Sequence, residues 1–78
     1  METNWEPTEA DLEWGRNLIG FLNNDGIWML PSTGMIMSFD KAKKRVFISG
    51  VNSEVEYSLR VKKMLLALGY MLIERLAA

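Results

Sequence analysis

Two turn-forming interruptions fall between Ile27 and Ser49, Pro31-Ser32-Thr33-Gly34 and Asp40-Lys41-Ala42-Lys43-Lys44, and they leave no run there long enough for a helix. Three short apolar pieces remain, Ile27 to Leu30, Met35 to Phe39 and Arg45 to Ser49. Proline fixes one backbone angle, Ser and Thr bond back to the chain and Gly accepts a positive φ, so the first interruption reads as a turn. The second reads as a polar hairpin connection. Short strands joined this tightly pair with one another, which predicts a small, mainly antiparallel sheet. Met35, Met37 and Phe39 share one side of the second strand, and Ile36 and Ser38 the other; Val46 and Ile48 oppose Arg45, Phe47 and Ser49 in the third. Neither strand alternates cleanly between apolar and polar, so both sheet faces are expected to meet apolar neighbours, helices on one and a partner on the other.

The flanks read as helices. Thr8 is placed to cap, Asp11 three residues on to reach back, and the acids Glu9 and Asp11 suit the positive end of a helix dipole. Leu12, Ile19 and Leu22, with Trp14, Leu18 and Phe21 beside them, form a broad apolar stripe, and Asn23-Asn24-Asp25-Gly26 is expected to end the helix. Gly15 and Gly20 lie inside it, where each costs about 1 kcal/mol against Ala unless it admits another element closely. On the far side, Ser53-Glu54-Val55-Glu56 is a capping box, followed by a stripe of Tyr57, Val61, Met64, Leu65 and Leu68. Gly69 sits where a terminator belongs. Tyr70 to Leu76 is then expected as a last strand, the alternative being one helix continuing through Glu74, Arg75, Leu76, Ala77 and Ala78. The expected fold is α+β, in the order α-β-β-β-α-β, with both helices on one face of the sheet and a single domain over residues 1–78.

Nothing but packing is offered to hold it. The 78-residue chain contains neither Cys nor His, which removes disulfides, thiolate chemistry and the usual zinc, iron and copper ligands, and no cofactor is expected. Without His or Cys, and with no pair of carboxylates at a spacing that tunes an acid against a base, an enzyme is not expected and no small-molecule substrate is evident. At 49% hydrophobic residues, with three Trp and six Met, the chain carries more apolar surface than so small a domain readily hides. The surplus points to a protein contact, most simply a homodimer. Trp28 and Met29 before the first turn, Met35, Met37 and Phe39 after it, and Trp5 outside any element are the candidate contact residues, since Trp marks interface hot spots and Met adaptable surfaces.

Leu30-Pro31-Ser32-Thr33-Gly34 also resembles, residue for residue, the sorting signal that sortases cleave when anchoring proteins to bacterial cell walls. In that family the signal stands near the C-terminus, ahead of a membrane-spanning segment and a basic tail and behind a secretion leader. Here it stands mid-chain before Met35-Ile36-Met37-Ser38-Phe39, and the N-terminus is acidic and polar where a leader would be basic and then apolar. The longest apolar run, Met64 to Ile73, is about half of the ~20 residues of a membrane span and is broken by Gly69. The turn reading and a cytoplasmic location are expected.

Net charge is −1, but the acids gather before Gly26 and the cations after it. Lys41, Lys43, Lys44 and Arg45 on the hairpin, extended by Arg60, Lys62 and Lys63 on the second helix, offer an alternative contact with nucleic-acid phosphates. The α-β-β-β-α order resembles the topology of double-stranded-RNA-binding domains, which implies RNA contact at the start of the second helix. That family is lysine-rich there, where this chain has Ser53, Glu54, Val55 and Glu56. The primary expectation is a non-enzymatic protein–protein interaction module. In general type it resembles the small accessory proteins of bacteriophages and mobile elements, including anti-CRISPR inhibitors, which act on a host protein complex.

Overall fold

A computed structural model describes residues 4–23, 25–30, 33–50 and 56–74. Along the chain run α1 (Glu9–Gly20), β1 (Ile27–Met29), β2 (Ile36–Asp40), β3 (Arg45–Ser49), α2 (Glu56–Ala67) and β4 (Met71–Glu74), the order that the sequence predicts. Thr8 caps α1 as expected. Its Oγ1 accepts the Asp11 amide at 3.2 Å, and Asp11 Oδ2 accepts the Thr8 amide at 2.8 Å. The helix stops at Gly20, ahead of the Asn-rich segment expected to end it, and Phe21 as C-cap is 88% exposed. Phe21 therefore does not belong to the apolar stripe: two residues at about 100° each set it roughly 200° from the buried Ile19.

The four strands lie in the order β1-β2-β3-β4. β1 pairs antiparallel with β2, Trp28 opposite Met37, and β2 antiparallel with β3, Met37 opposite Ile48. β4 pairs parallel with β3, so the mainly antiparallel sheet that was expected carries one parallel pair and is mixed. The cause is the crossover: α2 carries the chain back over the sheet, and the strand after it starts from the same end as β3. The alternative of a continuous C-terminal helix fails at Gly69, whose φ of +92° closes α2 with Tyr70 N–H to Leu65 O and Gly69 N–H to Leu66 O, both at 3.0 Å. The capping-box residues 53–55 and the end of the expected last strand, 75–76, lie outside the described residues.

Both helices cover one face. Ile19 of α1 and Val61, Met64 and Leu65 of α2 close over Met35, Met37, Phe39, Val46 and Ile48. The helices run side by side in the same direction, in contact at Gly15, where an added Cβ would stand 2.6 Å from Met64 Sδ. Gly15 thus serves the close approach its position suggests, whereas Gly20 has nothing within 4 Å. Lys62 of α2, nearly buried, donates to Glu74 Oε1 at 2.5 Å and ties β4 beneath the helix.

Leu30, Thr33 and Gly34 of the Leu-Pro-Ser-Thr-Gly string belong to the β1–β2 hairpin. Leu30 N–H bonds Met35 O at 2.9 Å, Gly34 N–H bonds Leu30 O at 2.8 Å, and the buried Thr33 accepts the Met35 amide at 3.2 Å. Gly50, just beyond β3, packs against it, with Gly34 O only 2.4 Å from where a Cβ would be. A protease or transpeptidase takes an extended, accessible strand; Leu30, Thr33 and Gly34 are folded back and largely enclosed. Pro31 and Ser32 lie outside the described residues.

Candidate functional site

Side chains alternate along a strand, so the registers assign each residue to a face. Facing away from the helices, Ile27, Ser38, Phe47 and Ile73 make one cross-strand row, Met29, Ile36 and Ser49 the next, and Asp40, Arg45 and Met71 a third. Ile27 is 64% exposed, Met71 61%, Met29 54% and Ile36 36%, so apolar side chains from three of the four strands meet solvent on one surface. At the hairpin end of this face Arg45 donates to Asp40 Oδ2 at 3.1 Å, and its guanidinium lies 5.8 Å from the centre of the half-buried Phe47 ring. The hydrogen bond from Arg45 holds the Asp40 carboxyl below its ordinary range, with the Lys43 amide acting in the same direction. Asp40 Oδ1 accepts that amide at 3.2 Å, so one carboxylate serves both the turn and the ion pair.

Of the six residues expected to contact a partner, Met29 alone stands on this open surface. Met35, Met37 and Phe39 face the helices and are buried in the core, which corrects their reading as a contact surface. The physical reason is polarity: their side of the sheet carries no polar side chain on β2 or β3, whereas the other side carries Ser38, Asp40, Arg45 and Ser49. Trp28 is half buried on the same helix-facing side, edge-on to Trp14 at 5.5 Å and stacked with Phe39 at 6.4 Å. Trp5 lies against α2, with Arg60 5.6 Å from its ring and Lys63 Nζ donating to its carbonyl at 2.9 Å. Sequence reasoning missed Ile27, Ile36 and Met71. Counting polar residues on each side of β2 and β3 would have chosen the correct face.

The seven cations offered for nucleic acid do not share one surface. Arg60 and Lys63 lie near the start of α2, and Arg60 lines a cleft of about 180 Å³ with Trp5, Trp14 and Tyr57. Lys41 and Lys44 line another, of about 380 Å³, where α1 and α2 end. Asp11 and Gly20, which border the two clefts on α1, are separated by roughly 13 Å at about 1.5 Å per residue. Five of the seven are bonded within the chain, Lys41 with Leu22 O at 2.8 Å, Arg45 with Asp40, Arg60 with Glu56, Lys62 with Glu74 and Lys63 with Trp5 O, while Lys44 lies over the Tyr70 ring. No continuous, uncommitted basic stripe of the kind that tracks a phosphate backbone is formed by them.

Among the described residues no three of His, Cys, Asp and Glu are placed to hold a metal ion, and no helix is long and apolar enough to cross a membrane. Comparison with protein-family models, with curated proteins and with solved structures finds no match. The site is therefore argued from its own geometry.

Proposed function

We propose that this chain is a non-enzymatic protein–protein interaction module that associates through the open face of its sheet, and that a second copy of the chain covers that face. The observation that carries the reading is the exposure of Ile27, Met29, Ile36 and Met71 on one surface while the helices cover only the other. Exposed apolar side chains gathered on one face are removed from water when a partner is available. A second copy fits it because, among the described residues, the face is close to neutral: its acid, Asp40, and its base, Arg45, stand side by side and meet the other face as a neutralised pair. Two sheets packed this way lie about 10 Å apart, with their strands within about 30°.

The size of the face sets the strength. Four strands of three to five residues, about 4.8 Å apart and about 3.3 Å per residue, present on the order of 300 Å² in projection. Pairing two faces covers on the order of 600 Å², short of the roughly 1,200–2,000 Å² of a standard stable interface. The dimer is thus reversible, in the micromolar range or weaker, and its helical layers and their clefts stay outward on both sides. Such a molecule acts by occupying a surface rather than by turnover, in the manner of small inhibitors from bacteriophages and mobile elements. The engagement of the hairpin and α2 cations within the chain weighs against the nucleic-acid reading.

Sedimentation equilibrium from about 10 μM to 1 mM tests the reading across the affinity range that so small an interface implies. Wild-type protein is expected to shift from monomer to dimer, and Met29→Lys or Ile36→Lys to stay monomeric with an unchanged melting temperature. A wild-type chain that is strictly monomeric at the top concentration, or a dimer that both variants leave intact, rules the second copy out.

A further inference from the structure

The cleft between the C-terminal ends of α1 and α2 and the β2–β3 hairpin has a composition that the sheet-face reading does not use. Its volume is about 380 Å³, and among the described residues its charged lining is Arg16, Lys41 and Lys44, with no Asp or Glu. Tyr70 forms part of the wall. Its ring is buried, burial raises its phenol above the ordinary range, and its hydroxyl has no hydrogen-bond partner among the described residues, so it remains a protonated, available donor.

Part of this positive charge has a structural use. The last turns of both helices contain no basic residue, and their carbonyl ends face the cleft at Gly20 and Ala67. Lys41 meets that need, donating to Leu22 O at 2.8 Å just beyond α1. Two helix ends carry only about half a negative charge each, roughly −1 together, against three full cations. About two positive charges are left over. Among the described residues the acid paired with one of them is Glu9, 3.6 Å from Arg16 but with its side chain 86% exposed, where an ion pair is weak and easily displaced.

Lys44 adds an independent sign. Its φ is +56°, the only positive φ of a non-glycine residue among those described, in a turn position that Gly or Asn adopts more readily. What Lys supplies there is its ammonium group, held 4.9 Å from the Tyr70 ring at the cleft. Backbone strain retained at a charged residue on a cavity wall is a feature of ligand sites.

We infer that this cleft binds a phosphate dianion, with Arg16 and Lys44 as the principal charged donors, Lys41 as a fixed wall charge and Tyr70 as a neutral donor. The excess of about two positive charges matches a phosphomonoester, which carries about −1.5 to −2 at neutral pH, better than the single charge of each phosphodiester in a nucleic acid. The same group comes on a free metabolite or on a phosphorylated side chain of a protein. The inference is independent of the dimer, because the open sheet face lies on the other side of the sheet from the helices.

The test is a ¹H–¹⁵N NMR titration of the full chain at constant ionic strength with inorganic phosphate, with a phosphoserine tripeptide, with its unphosphorylated form and with a short single-stranded oligonucleotide. Saturable shifts confined to Arg16, Gly20, Lys41 to Lys44 and Leu68 to Tyr70 are expected with the first two and absent with the third. Tighter binding of the tripeptide than of inorganic phosphate assigns the group to a phosphorylated chain, and equal or weaker binding to a free phosphate compound. Lys44→Gly, which suits the backbone and removes the charge, and Arg16→Gln should each weaken binding about tenfold while leaving the spectrum elsewhere unchanged. Absence of saturable shifts, unaltered affinity in both variants, or tighter binding of the oligonucleotide at these residues would overturn the inference.

Discussion

The two faces of the sheet are built from the same four strands and nearly the same apolar residue types, yet one is sealed and the other open. Met37 and Ile48 are fully buried, while Ile36, one residue from Met37, is 36% exposed and the neighbouring Met29 54%. Apolar content does not separate the two sides; polar content does. Ser38, Asp40, Arg45 and Ser49 can all keep contact with water on the open side, and none would find a partner against two apolar helix stripes. Central strands with one strictly apolar and one mixed side settle which face takes the helices, and leave a smaller apolar surface exposed on the other.

The comparison breaks if equivalent truncations cost the same on both sides. Met37→Ala is expected to lose about 2–5 kcal/mol in urea denaturation, because it leaves a cavity under α2 as well as removing buried surface. Ile36→Ala, on the adjacent position of the same strand, should lose no more than about 1 kcal/mol at concentrations where the protein is monomeric. Equal losses would mean that the open face is covered in the folded monomer. Gly50→Ala falls between the two, at about 2–4 kcal/mol, since it combines an unfavourable φ of +99° with a backbone carbonyl 2.4 Å from the new Cβ.

The legible part of this fold was its punctuation. Thr8 with Asp11, the two interruptions between the strands and Gly69 mark element ends through local bonds, and local bonds depend on residues a few positions apart. The parity of Met35, Met37, Phe39, Val46 and Ile48 was equally plain. Which face they line was not read correctly, because an exposed contact surface was sought among the most apolar residues, whereas these are the ones the helices claim first. The parallel pairing of β4 is a consequence of where α2 crosses, which no short window of residues reports. Arg16 and Tyr70 escaped notice for the same reason: distant in sequence, they meet only because the two helices end together.

The covered side can be sharpened at its edges. Glu74→Ala should cost about 1–2 kcal/mol, as it removes an acceptor from a Lys62 ammonium that has little access to water. Lys62→Met should cost less, since it takes the charge away with the partner. A smaller effect of opposite sign is expected on the exposed rim of α1, where Gly20→Ala gains up to about 1 kcal/mol from helix propensity with no atom in the way. Gly15→Ala should not show that gain, because Met64 has to move.

The smallest effects are those of pH, and they distinguish the faces by their response to salt. On the open side the Arg45 hydrogen bond lowers the Asp40 carboxyl below its ordinary 3.8, so this group adds stability above that value and loses it as pH falls through its folded value. On the covered side burial raises Tyr70 above its ordinary 10.0, so its neutral form supports the fold fully below about pH 10 and that support is lost as pH rises through the raised value. Asp40→Asn should flatten the acid slope of a urea-midpoint profile, and Tyr70→Phe the alkaline one. The acid slope rests on a partly exposed ion pair and should shrink in about 1 M salt, where the screening length is about 3 Å. The alkaline slope comes from desolvation of a buried ring, which dissolved ions do not screen, and it should persist; if salt erased both alike, Tyr70 would have to be as open to solvent as Asp40.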